Sequence, residues 1–235
     1  MNTPNPIRKI KVLLVDDHTI VRQGLRALLE ATPDIEVIAE AADGQTAVRL
    51  ARELQPAVIV MDVHMPVLNG AEATRQILQN APEAKVLVLS SYNDNERVVD
   101  MIERGAIGYV VKQSASNDLV KAIREVKKGN AFLSPCISRH LLERCRNSLA
   151  QGEAKNNGND LTMREAEVLQ LVAESYANKQ IAGVLSISIK TVEKHRQQLM
   201  DKLKIHETAG LTRYAVARGM VEVREPEAAG QPAFC

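Results

Sequence analysis

At 235 residues with 45% apolar content, the chain is long enough for two domains that each bury a core. Its formal net charge of +1 gives no whole-chain attraction to nucleic acid, so only local clustering of cations can argue for one. Cys136, Cys145 and Cys235 form no Cys-x-x-Cys pair or metal-ligand set, no apolar run approaches the ~18 residues of a membrane span, and Met1 to Lys9 lacks the apolar core of a signal peptide, so reduced thiols in a cytoplasmic protein away from membranes are expected.

From Lys9 to Gly129 short apolar runs alternate with amphipathic stretches. Ile10 to Val15, Ile35 to Ala39, Val58 to Met61, Val86 to Leu89 and Gly108 to Val111 are rich in Val, Ile and Leu and predict five strands. Ile20 to Ala31, Gly44 to Leu54, Gly70 to Gln79, Glu96 to Arg104 and Asp118 to Lys128 predict five helices, with Asn93-x-x-Glu96 as a capping box for the fourth. Strands this apolar, alternating with helices, imply an α/β doubly wound domain of the flavodoxin-like type, a five-stranded parallel sheet covered on both faces.

Such a fold binds ligands beyond the carboxyl ends of its strands, where the strand order reverses. In the order 2-1-3-4-5 that point lies between the first and third strands. Asp16 and Asp17 follow the first run, Asp62 the third, Ser90 the fourth and Lys112 the fifth. Three acids, a hydroxyl and an ammonium therefore overlook one crevice. Carboxylates this close repel unless protonated or bridged by a hard cation, and Mg2+ is the economical bridge. With Asp62 as nucleophile, the metal and Lys112 would neutralise an arriving phosphoryl group, and Ser90 would donate a hydrogen bond to one of its oxygens. No Gly-x-x-x-x-Gly-Lys or Gly-x-Gly-x-x-Gly segment is present to hold a nucleotide, so the phosphate must come from somewhere other than bound ATP.

Through Asp16-Asp17, Asp62 within Met-Asp-Val-His-Met-Pro, Ser90 and Lys112, residues 10 to 129 resemble a bacterial response-regulator receiver domain. The resemblance implies that Asp62 accepts a phosphoryl group from a phosphohistidine on a sensor kinase. It implies that Asp17 and Asp62 ligate Mg2+ directly, Asp16 through water and His64 through its backbone carbonyl. It makes Ser90 and Tyr109 the switch pair, Tyr109 turning inward as Ser90 moves toward the phosphate; on the residues alone Tyr109 reads as a half-buried strand tyrosine. Gln113 stands where many receivers carry proline, so a cis peptide is not assumed. His64 is larger than the residues often found there, and its imidazole is expected at the site rim.

Asn130 to Asn159 breaks the alternation. Ile137 to Leu149, with Ile137, Leu141, Leu142, Cys145 and Leu149, predicts one short amphipathic helix packed against a domain, and Gln151 to Asp160 reads as a polar tether. Thr162-x-x-Glu165 is a capping box that starts a helix near Met163. Asn178 to Leu185, a third helix capped by Ser188 and running to Leu203, and Glu207 to Arg218 complete an all-α unit. The domains are thus 9–129, a linker 130–159, 160–221 and a tail 222–235 expected to be disordered.

In the third of these helices Val192, Leu199 and Leu203, with Arg196 or His195 filling the gap, make a narrow buried stripe. Lys190, Glu193, Lys194, Gln197 and Asp201 lie opposite. Between Asn178 and Lys204 there are six Lys or Arg against two acids, which suits insertion of this helix in a DNA major groove. Leu161-Thr-Met-Arg-Glu-Ala-Glu-Val-Leu, Asn178-Lys-Gln-Ile-Ala, Ser188-Ile-Lys-Thr-Val-Glu-Lys-His-Arg and Lys202-Leu resemble the LuxR-type helix-turn-helix domain. Joined to a receiver, the chain resembles a NarL/FixJ-type transcription factor. The resemblance implies base-edge contacts from Glu193, Lys194 and Gln197, phosphate contacts from Lys179, Thr191, His195 and Arg196, and Lys190 as a further DNA-binding residue. It implies operator DNA and a sensor kinase as partners and a homodimer when phosphorylated. Two rival readings are a Mg2+-dependent phosphatase, which would need an acid where His64 stands, and an adaptor whose C-terminal helices bind protein. In the preferred reading the chain is not an enzyme.

Overall fold

The computed structural model describes residues 9–91, 97–151 and 161–221. In the first domain, strands β1 (Ile10–Val15), β2 (Ile35–Ala41), β3 (Val58–Asp62), β4 (Val86–Ser90) and β5 (Gly108–Val111) form a parallel sheet. Helices α1 (Thr19–Glu30), α2 (Gly44–Leu54), α3 (Gly70–Asn80), α4 (Arg97–Glu103) and α5 (Ala115–Lys128) cover it. Side chains alternate across the sheet as a period of two requires. Leu13, Val15, Ile59, Met61, Val86 and Val88 pack with Ala47, Ala51, Ala73, Ile77 and Met101 on one face. Val12, Leu14, Val58, Val60, Leu87 and Leu89 pack with Leu25, Leu29, Leu119, Ile123 and Val126 on the other.

The sheet has six strands rather than the expected five. Phe132–Leu133 forms β6, parallel to β5, giving the order β2-β1-β3-β4-β5-β6. Two residues are too few to show a hydrophobic period. What places them is position: α5 ends at Gly129, whose φ of 90° turns the chain back beside the free edge of β5. The linker helix α6 (Pro135–Gln151) follows directly, and its buried Ile137 joins the core of the first domain. The helix α5 begins three residues ahead of the expected Asp118, after a 3-10 turn over Lys112–Ser114, which leaves Asp118 in the favourable first turn.

The second domain is all-α: α7 (Met163–Ala173), α8 (Asn178–Leu185), α9 (Ile189–Leu203) and α10 (Thr208–Ala217). The capping box is formed in both directions, Glu165 N–H to Thr162 Oγ1 at 3.3 Å and Thr162 N–H to Glu165 Oε2 at 2.7 Å. Ser188 caps α9, accepting from the Thr191 N–H at 3.1 Å. Val192, Leu199 and Leu203 enter the helical core as the stripe predicted. The Asn93-x-x-Glu96 box, most of the Gln151 to Asp160 tether and the tail from 222 lie outside the described residues.

Candidate functional site

The strand tips bring the three acids together. Ligand atoms of Asp16, Asp17, Asp62 and also His18 lie within 4.8 Å of one another. Asp16 is fully buried and Asp62 is 2% exposed, so neither carboxylate is relieved by water. Lys112 Nζ lies 2.9 Å from Asp16 Oδ2 and 2.8 Å from Asp62 Oδ2, bridging the two. The Val63 N–H donates to Asp62 Oδ1 at 2.8 Å, and the His18 N–H to Asp16 Oδ1 at 2.8 Å. Burial pushes the Asp62 carboxyl up, Lys112 pulls it back and Asp16 raises it again, leaving it at about 7. Burial lowers the Lys112 ammonium, but contact with Asp62 and Asp16 outweighs this and its pKa is raised.

Two residues of the site were not foreseen. His18 Nδ1 sits 2.6 Å from Asp17 Oδ1, so the acidic cup has an imidazole at its mouth. Arg22, one turn into α1, donates to the Asp16 carbonyl at 2.7 Å and pairs with Glu40 of β2 at 2.9 Å, bracing the β1–α1 loop. The Asp-Asp-His run at a strand tip was the available signal for the first. Ser90 is buried at the end of β4, opposite Val111 in the register, beside the cup. His64 lies in the loop directly after β3. Tyr109 corrects an expectation: it is 1% exposed rather than half-buried, because its face of β5 looks into the core with Met101 and Val111.

Three hard carboxylates held this close, with one still near neutral pKa despite an ammonium partner, make a donor set that fits a divalent cation such as Mg2+. Gly70 keeps the end of β3 close to α3. A Cβ there would overlap the Asp62 carbonyl.

On the second domain Lys179, Lys190, Glu193, Lys194 and Gln197 are exposed, and Lys190, Thr191, Glu193, Lys194 and Gln197 line one open hollow on α9. His195 is half-buried. Arg196 donates to Asn178 Oδ1 at 2.8 Å and Thr208 Oγ1 at 3.1 Å, tying α9 to α8 and α10. Thr191 likewise has its hydroxyl 2.8 Å from that of Ser188. Glu165, which caps α7, also pairs with Lys202 at 3.1 Å and so ties α9 to the start of α7.

A doubly wound domain with an acid cup at its switch point, followed by a helix-turn-helix unit, is the arrangement of a two-component transcription regulator. Residues 12–124 match the response regulator receiver domain, and residues 159–215 match the bacterial regulatory proteins of the luxR family. The chain is 44% identical over 206 residues to the transcriptional regulatory protein LiaR of Bacillus subtilis, covering 88% of this chain and 96% of LiaR. A LuxR-family two-component response regulator from Aurantimonas sp. SI85-9A1 superposes with a TM-score of 0.56 at 40% identity, over 59% of this chain and 99% of that one. RcsB of Salmonella typhimurium does so with a TM-score of 0.54 at 28% identity, over 89% and 99%. The chain belongs to the NarL/FixJ-type response regulators of two-component signalling, which join a receiver to a LuxR-type DNA-binding domain. Among the described residues no helix is long and apolar enough to cross a membrane.

Proposed function

We propose that Asp62 is the phosphoacceptor, and that its phosphorylation controls binding of α9 to operator DNA. The observation that carries this reading is the convergence of Asp16, Asp17 and Asp62 under Lys112 in one buried cup. An oxygen of Asp62 forms the bond to phosphorus as the P–N bond of a sensor kinase phosphohistidine breaks and the imidazole leaves. Lys112, 2.8 Å from Asp62 Oδ2, then transfers its contact to the phosphoryl oxygens, and Ser90 donates to one of them. Asp17, Asp62 and the His64 carbonyl would hold Mg2+ directly and Asp16 through water; when bound, the ion neutralises charge on the phosphoryl group. Ser90 and Tyr109 form the switch pair.

In the second domain Glu193, Lys194 and Gln197 reach base edges, while Lys179, Lys190, Thr191, His195 and the N-terminal amides of α9 grip phosphates. Arg196, held by Asn178 and Thr208 through two of its five N–H groups, adds a phosphate contact through the others. The solved RcsB–DNA complex, 27% identical with a TM-score of 0.54, supports a DNA-facing output domain. The phosphorylated chain acts as a homodimer in the cytoplasm, with domains 9–129 and 160–221 joined by the linker 130–159. Incubation with acetyl phosphate and Mg2+ should add one phosphate to the intact mass. No gain, or an equal gain in Asp62→Asn, overturns the assignment. DNA affinity should fall steeply with salt; absence of binding at low salt would favour protein as the output partner.

A further inference from the structure

The loop that carries Asp16 and Asp17 is tied through its backbone as well as through its carboxylates. The Asp16 N–H donates to the Ala41 carbonyl of β2 at 3.2 Å, and the Asp16 carbonyl accepts from Arg22 Nη1 at 2.7 Å. The Asp16 carboxylate is taken by the His18 N–H at 2.8 Å and by Lys112 at 2.9 Å. Asp17 hangs from the same peptide unit. A planar amide joins the Asp16 carbonyl to the Asp17 N–H, so whatever holds that carbonyl sets the direction in which Asp17 leaves the strand. The Asp17 side chain is short, and a shift of that plane carries its carboxylate with it.

Arg22 is itself held. Its Nε donates to Glu40 Oε2 at 2.9 Å, and the other Glu40 oxygen accepts from Arg26 Nη1 at 2.6 Å. Arg26, one turn further along α1, also donates through Nε to Glu30 at 2.7 Å. Arg22 is the deeper of the two arginines, 15% exposed against 47%. The hydrogen bond from Arg26, joined by that from Arg22, keeps the Glu40 carboxyl below its usual range against the opposing effect of burial. Two guanidiniums and two carboxylates balance in this chain of contacts, which lets Arg22 stand beside the cup without a net repulsion toward a divalent cation. Arg26 shares Glu40 with Arg22, but its own hydrogen bonds run to Glu30 and Glu40, away from the peptide that presents Asp17.

We propose that Arg22 is a positioning residue for the divalent ion: by holding the Asp16 carbonyl it presents Asp17 to the cup, and it acts on phosphoryl transfer only through occupancy of the cup. This rests on the reading of the cup as a Mg2+ site that serves Asp62. Coulomb's law alone gives the opposite sign, since deleting a cation beside the cup would tighten the binding of Mg2+.

The test uses the full-length chain, with the Mg2+ dissociation constant read from amide chemical shifts during a Mg2+ titration and phosphate uptake from acetyl phosphate followed by intact mass. Partners that orient metal ligands carry about 10–100-fold of metal affinity, so Arg22→Met, which keeps an apolar stem but no guanidinium, should raise the dissociation constant at least about tenfold. Arg26→Met removes only the more exposed partner of Glu40 and should stay within about twofold. Saturating Mg2+ should return phosphate uptake by Arg22→Met to within about twofold of the unaltered chain, because the acceptor and Lys112 are intact. A merely structural role would lower the melting temperature in chelator and leave the dissociation constant where it was. That result overturns the proposal, as do tighter binding, an equal loss in Arg26→Met, or an uptake rate that excess Mg2+ does not restore. Should Arg22→Met fail to fold, Arg22→Lys decides: an ammonium lacks the planar fork that spans the carbonyl and Glu40, so the dissociation constant should rise at least about threefold, and an unchanged one overturns the proposal. If the unaltered chain shows no Mg2+ binding, the reading of the cup falls first and this inference with it. If it binds and Arg22→Met binds as tightly, only the inference falls.

Discussion

Replacing Asp62 by asparagine should stabilise the receiver, and by an amount that depends on pH in a definite way. The carboxyl titrates at about 7 in the fold against 3.8 in the unfolded chain, chiefly because it is buried. A folded pKa above the unfolded one means that the fold binds the proton more tightly. Its contribution is then fully present below about pH 4 and is lost as pH rises toward 7. At about 1.4 kcal/mol per pH unit, the loss above pH 7 is on the order of 4 kcal/mol. The amide keeps the shape and leaves Lys112 paired with Asp16, so Asp62→Asn lacks this loss. Urea unfolding followed by circular dichroism at pH 5 and pH 8 in a chelator is the assay. The receiver transition is the one that added Mg2+ shifts in the unaltered chain. The variant's advantage should grow by several kcal/mol from pH 5 to pH 8, and Mg2+ should shrink it. Parallel pH profiles for the two proteins would refute the reasoning.

Gly70→Ala should cost about 1–3 kcal/mol and slow phosphate uptake from acetyl phosphate, because its Cβ would overlap the Asp62 carbonyl; urea midpoints and intact mass report both. Lys190→Ala should weaken DNA binding evenly across sequences and reduce the slope of log affinity against log salt by about 1. Gln197→Ala should instead relax preference at one base position by about 1–3 kcal/mol, measured by competition with single-base operator variants. Hydrogen bonds from Thr162 and the Lys202 ammonium hold the Glu165 carboxyl below its usual range against the opposing effect of burial. Its stabilisation is present above about pH 4.5 and lost as pH falls through the lowered value. Glu165→Gln should therefore be less stable at pH 7 by under about 1 kcal/mol and indistinguishable in strong acid, as followed by thermal melting of the output domain.

The acid cup was legible because each acid directly follows an apolar run, and strand tips are fixed by where such runs end. The helix-turn-helix was legible from a capping box and a narrow apolar stripe. What escaped the sequence was non-local. Phe132 and Leu133 become a strand only because β5 offers an edge. Tyr109 is buried because α4 and the linker helix close over its face of the sheet. Arg196 could be placed beside the buried stripe from its spacing, but its partners Asn178 and Thr208 come from two other helices. Glu167 and Gln170 of α7 and Glu174 at its end recur at helical spacing as polar residues. They are turned inward by a second domain that the helix's own periodicity could not announce. His18 was the one omission with a local cue.

The added strand bears on where the first domain can be cut. Phe132 N–H meets the Ile107 carbonyl at 3.4 Å and Ser134 N–H the Tyr109 carbonyl at 3.0 Å, so β6 shields a margin of the sheet that would otherwise invite another chain. A fragment stopped at Gly129 would bare that margin and stick to its own copies, whereas one carried through α6 would keep it sealed. The connector is therefore a hem before it is a tether: the polypeptide finishes the sheet and only then departs for its second domain.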